Sequence, residues 1–98
     1  MTVVNRRTFS AGRGKLAEVV ELLKAAAQDA PQTYRIYASY YGTFHQVVLE
    51  VEFADMASME AAWAEFDARP GTESFLAQWN TVIEPGGTNE IWVLEAQG

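Results

Sequence analysis

The sequence predicts an α+β domain in the order strand, helix, strand, strand, helix, strand, and three observations predict it. Two β-rich runs, 33–41 and 44–53, flank Gly42-Thr43 at the centre of the chain. Apolar stripes at helical spacing stand on either side of that pair: Leu16, Val19, Val20, Leu23 and Ala27 before it, Met56, Met59, Trp63 and Phe66 after it. Segments rich in β-formers close both ends, at 2–10 and 89–95.

The first strand, Thr2 to Ser10, stops at the glycine-bearing loop Ala11-Gly12-Arg13-Gly14. A helix from Arg13 to about Gln28 buries its stripe and turns Glu18, Glu21 and Lys24 outward. Asp29-Ala30-Pro31 ends it, because proline pushes the preceding residue out of the helical region. Gly42-Thr43 reads as a two-residue type II′ turn. That turn sets Ala38 opposite Val47, Tyr37 opposite Val48, Ile36 opposite Leu49 and Arg35 opposite Glu50, and a one-residue slip would mix the two faces. Asp55 is the expected N-cap of the second helix, which Arg69-Pro70-Gly71 breaks. Thr72 to Trp79 forms a further helical piece with Phe75, Leu76 and Trp79 inward, Ile83 to Gly87 reads as a loop, and Asn89 to Glu95 is the last strand.

This order is the ferredoxin-like split βαβ pattern, one domain over 1–98: a four-stranded antiparallel sheet with its helices on one face. The other face would carry Arg35, Tyr37, Tyr41, Val48 and Glu50, a mixed aromatic and apolar surface. A 98-residue chain buries only about 65% of its extended surface, so a second copy laid sheet on sheet is the expected cover, giving a two-fold homodimer with a closed barrel. The alternative is a monomer whose open face is solvated by its charges.

Charge and composition exclude several functions. A net charge of −6 argues against nucleic acid as a partner, which requires clustered Lys and Arg. Without cysteine and with one histidine, the chain offers no thiolate metal site, cysteine nucleophile or multi-His centre; carboxylates are the remaining metal option, no metal-ligand spacing is present, and no metal or other cofactor is expected. No apolar run reaches the ~20 residues of a membrane span and the first residues lack a signal-peptide pattern, so a cytoplasmic location with no membrane partner is expected.

On the first strand, Val3, Asn5, Arg7 and Phe9 have apolar ends and fit the helix side better than Val4, Arg6 and Thr8. That places an amide and a guanidinium within an apolar layer, where each needs a partner, water or a ligand. Asn5 and Arg7 are therefore candidate oxyanion binders, with His45 a candidate base. Two cavities are possible, the space between paired sheets and the cleft between one sheet and its own helices; in the cleft, which the family resemblance given below favours, Tyr34, Tyr40, Trp63 and Trp79 are the expected walls of an apolar, aromatic small-molecule site. Each also has a plain structural reading: tryptophans at helical spacing pack cores, and His45 beside a turn is an ordinary strand residue. Glu50 and Glu52 share a face, with Arg6 and Arg35 their expected neighbours.

Arg7-Thr8-Phe9-Ser10-Ala11-Gly12-Arg13-Gly14-Lys15-Leu16 resembles the opening of the NIPSNAP family, where an arginine, then an aromatic two residues on, precedes a glycine-lysine step into the first helix. Gly42-Thr43-Phe44-His45-Gln46-Val47-Val48-Leu49 is similar to that family's glycine, polar residue and apolar third strand. The family usually carries an acidic residue two before its arginine, where this chain has Asn5. The resemblance implies the dimeric α/β barrel superfamily, which also holds antibiotic-biosynthesis monooxygenases, heme-degrading monooxygenases and ring-lactone isomerases. Heme-degrading members use a first-strand asparagine, a second-helix tryptophan and a histidine shortly after; Asn5 and Trp63 match, but no histidine lies between Ala64 and Glu84. What the resemblance leaves is a small-molecule-binding protein with cofactor-independent monooxygenase or isomerase chemistry, or a non-catalytic interaction or regulatory module of the same fold.

Overall fold

β-Formers Val3, Val4, Thr8 and Phe9 build the first strand, β1 (Val3–Ala11), and Gly12 to Gly14 turn the chain into α1 (Leu16–Ala27). There follow β2 (Tyr34–Ala38), β3 (Gln46–Phe53), α2 (Met56–Ala68), α3 (Thr72–Trp79) and β4 (Ile83–Val93), in a computed structural model that describes residues 1–98. The strands lie in the order β2-β3-β1-β4 with every pair antiparallel, a ferredoxin-like α+β sheet.

The central hairpin has the register that its alternation demands: Arg35 faces Glu50, Ile36 faces Leu49, Tyr37 faces Val48 and Ala38 faces Val47. One face of the sheet is thereby apolar. Val3, Val47, Leu49, Val51 and Phe53 pack there against Val19 and Leu23 of α1, Met59 of α2 and Trp79 of α3. α2 begins where Asp55 accepts a hydrogen bond from the Ser58 amide at 2.7 Å, and that bond holds the Asp55 carboxyl below the usual carboxylate range. It ends at Arg69, and Gly71 takes a φ of 97° before Thr72 starts α3.

Two expectations are corrected. The hairpin does not close in two residues: the strands part after Ala38, and Ser39 to His45 form a wider loop around Gly42. Tyr40, Tyr41 and Phe44 have no third strand to pack on there, so their β-propensity has nothing to act through. Ile83 to Gly87, read as a loop from its Pro and Gly, is instead the start of β4, which ends at Val93.

The edge position explains that last difference. β4 pairs only with β1, and its register jumps between Thr8↔Thr88 and Ser10↔Glu84, so Pro85, Gly86 and Gly87 bulge opposite Phe9. A bulge on an edge strand tolerates a residue without an N–H. Gly87 has a φ of 96°, and a Cβ there would stand 2.2 Å from the Thr8 carbonyl oxygen. Gly87→Ala should therefore cost about 2 kcal/mol or more through strain and collision, read as a lower urea midpoint with an unchanged slope.

The opposite face of the sheet carries no helix. Across it, Arg6 bonds Glu50, with Nε at 2.8 Å, Tyr37 donates to the same carboxylate at 3.1 Å, and Arg35 reaches diagonally to Glu52 at 3.0 Å. Arg35 thus stands opposite Glu50 in register yet pairs with Glu52, because Arg6 already occupies Glu50. Closed over in this way, Glu50 is only 8% exposed on an otherwise bare face.

Candidate functional site

Between the helix side of the sheet and the helices lies a cavity of about 290 Å³, walled mostly by apolar side chains. An unbroken aromatic run forms one wall: Trp63 edge-on to Phe66, Phe66 to Phe75, Phe75 stacked on Trp79, and Trp79 edge-on to Phe9 at 4.8 Å. α1 contributes Leu23, Ala26 and Ala27, and β2 contributes Tyr34, whose place on the helix side follows from the hairpin register.

Arg7 is the one cation on the sheet that lines this space. Strand alternation puts it on the helix face two residues beyond Asn5, and its guanidinium lies 3.8 Å from the centre of the Trp63 ring. Its Nε donates to Asn5 Oδ1 at 3.1 Å, and no carboxylate pairs with it. Burial pushes the Arg7 guanidinium below arginine's ordinary value, opposed by the field of Asp67. It nevertheless stays charged.

Asn5, 2% exposed, sits beneath these groups and not on the cavity wall. Its Oδ1 accepts from Arg7 Nε and from Trp63 Nε1 at 3.0 Å; its Nδ2 donates to Asn89 Oδ1 at 2.7 Å and to the Glu90 carbonyl at 2.9 Å. The amide orientation has a chemical check, since Arg and Trp nitrogens only donate and must face oxygen. One amide thus ties β1, α2 and β4 together and fixes both the Arg7 fork and the Trp63 ring.

Of the residues singled out from sequence, the structure brings Arg7, Tyr34, Trp63 and Trp79 to the cavity, with Asn5 directly behind. Tyr40 and His45 are elsewhere: both lie in the open hairpin loop, Tyr40 89% exposed and His45 exposed with a φ of 61°. The wider loop carries them away from the sheet face, and His45 meets only the ring of Phe44 and, through its carbonyl, the Ala11 amide. Asn89 was missed, although the alternation that assigned Asn5 would have found it: Asn89, Ile91 and Val93 alternate along β4 and pair with Arg7, Asn5 and Val3. Phe75 packs against the core and also walls the cavity, whereas Phe66, expected on the core stripe of the second helix, walls the cavity without joining the core.

The NIPSNAP family model matches residues 4–88. The chain belongs to the NIPSNAP family. Solved structures agree on the fold. A NIPSNAP-like domain protein from Burkholderia xenovorans superposes with a TM-score of 0.86 at 14% identity, over 99% of this chain and 88% of that one. A NIPSNAP family protein from Agrobacterium tumefaciens str. C58 gives 0.82 at 15% identity, over 95% and 92%. A protein from Chloroflexus aurantiacus J-10-fl named for antibiotic biosynthesis monooxygenases gives 0.75 at 13% identity, over 100% and 97%. A search of curated proteins finds no match. For this NIPSNAP chain no helix is long and apolar enough to cross a membrane.

Proposed function

We propose that this NIPSNAP chain binds an apolar or aromatic small molecule in the cleft between its sheet and helices, working as a homodimer paired through the open sheet face. The observation that carries the reading is the aromatic-walled cavity lined by one guanidinium, Arg7, that no carboxylate pairs. Apolar walls with a few fixed polar groups are the ordinary make-up of a small-molecule site. Arg7, held by Asn5 and Trp63, supplies a preorganised positive edge in a mostly apolar space, the kind of group that stabilises a developing enolate or other oxyanion. Cofactor-independent monooxygenases and isomerases share that step, and it is the chemistry this arrangement supports best.

One observation favours the second reading, a non-catalytic interaction or regulatory module: the single histidine stands outside the cavity, which leaves no imidazole base within it. The test uses indole N–H resonances. Trp63 and Trp79 line the cavity and Trp92 does not, so titrating small aromatic and aliphatic probes should shift the first two and leave Trp92 in place. Arg7→Ala should weaken retention of the bound probe. Retention unchanged in a folded variant would remove Arg7 from the site and move the chain to the second reading.

A further inference from the structure

The geometry points to a small amphipathic monocarboxylate as the ligand of the cleft: a planar carboxylate seated on the outer edge of Arg7, with its apolar body along Phe9, Phe75 and Trp79. This rests on the cleft being a small-molecule site and adds the charge and shape of its occupant.

Part of Arg7 is already engaged by the protein. A guanidinium has five N–H donors in one plane. The Nε donor is spent on Asn5, and one face of the plane lies on the Trp63 indole. The two terminal nitrogens make no hydrogen bond to the protein, and none is a buried atom left without a partner, so both open to the cavity. What remains is an edge with two parallel donors, which matches the two coplanar oxygens of a carboxylate in a bidentate fork.

Charge selects the same class. The residue under the guanidinium is a neutral amide, so nothing within pairing distance cancels its charge. Other charged groups on the cavity wall are Asp29, Glu65 and Arg69, and Glu65 and Arg69 pair with each other at 3.5 Å on exposed side chains. Arg7 is then the one cation on this wall without an ion-pair partner, and because Asp29 also lines the space and Asp67 already acts on Arg7, the site has room for a single negative charge and not for a dianionic phosphate. Size sets the last limit: about 290 Å³ lies just under the ~300 Å³ at which pockets for drug-sized ligands begin, so the body is on the scale of a single ring or a short acyl chain.

Three probes of one skeleton test this on the full chain: 3-phenylpropanoate, 3-phenylpropan-1-ol and 3-phenylpropan-1-amine, titrated by calorimetry with the Trp63 and Trp79 indole signals followed in parallel. The carboxylate should bind about tenfold to a hundredfold more tightly than the alcohol, and the amine weakest of the three. Arg7→Gln should bring carboxylate and alcohol level, and Arg7→Lys should recover only part of the difference because it keeps the charge and loses the fork. An alcohol that binds as tightly as the carboxylate overturns the charge assignment and leaves the cleft standing as an apolar site. Failure of all three probes to bind overturns the cleft and the charge assignment together. The comparison between probes is made on the unaltered protein, so it holds even where an Arg7 variant fails to fold.

Discussion

Asn5→Ala is expected to destabilise the protein by about 3–5 kcal/mol, a fall in melting temperature of about 15 °C or more. The side chain is buried and makes four hydrogen bonds, two as acceptor from Arg7 and Trp63 and two as donor to Asn89 and the Glu90 carbonyl. Alanine would remove the partner of all four groups at once; exposed Asn89 can turn to water, but the Trp63 and Arg7 donors and the Glu90 carbonyl are enclosed, and each such group left alone costs about 1–3 kcal/mol, less than additively because the partners share one space. The loss should not stay local. Asn5 is the joint at which edge strand β4 meets α2 through β1, so amides of β4 should exchange faster in the variant than those of the β2–β3 hairpin. Asn5→Asp separates the halves of the network. A carboxylate still accepts from Arg7 and Trp63 but cannot donate to the Glu90 carbonyl, so the stability loss should be less than half that of the alanine variant. The same change places a negative charge under Arg7, and preference for a carboxylate ligand should vanish with it. Equal melting temperatures for Asn5→Ala and the parent would show that the amide carries no structural weight.

How far the sequence led can be judged from particular residues. The hairpin register was legible because period-two alternation on both strands leaves one alignment that keeps Ile36, Ala38, Val47 and Leu49 on one side. Placing Asn5 and Arg7 on the helix side followed from the same rule. What alternation cannot report is where a strand pair comes apart, since that depends on whether a third element covers the tip; so the loop around Gly42 opened and took Tyr40 and His45 with it. Composition misled at 83–87 for a related reason: proline and glycine mark a loop in most contexts, and only pairing against β1 reveals a bulged edge strand. The requirement that buried polar groups find partners separated Asn5 from Arg7. Asn5 satisfies itself within the protein, and Arg7 keeps its outer edge free.

Val48→Asp should convert the proposed homodimer into a folded monomer, and sedimentation velocity should follow the change as a fall to a single species near 10.9 kDa. The chain exposes 6695 Å², about 1,100 Å² more than the ~5,600 Å² usual for a folded monomer of its mass, and its extents of 38 × 36 × 21 Å describe a slab. A standard interface removes about 800 Å² from each partner, so the excess is the size a second copy would cover. The centre of the open face is also ready to lose water: Glu50 is already bonded by Arg6 and Tyr37, and Glu52 by Arg35, while Glu90, opposite Arg6 on edge strand β4, accepts only from Trp92 Nε1 and would stay at the wet rim. Val48 lies at its middle, between Thr8 on β1 and Tyr37 on β2. An aspartate there has no basic partner left to claim, and two-fold symmetry puts it into the interface twice, so association should weaken by several kcal/mol while the helix-side core is untouched. Val47, its fully buried neighbour on the other face, is the control: Val47→Asp should unfold the chain instead of splitting a pair. A parent protein that sediments as a monomer, or a Val48→Asp particle of unchanged size, would leave the bare sheet without a partner and remove the homodimer from the proposed function.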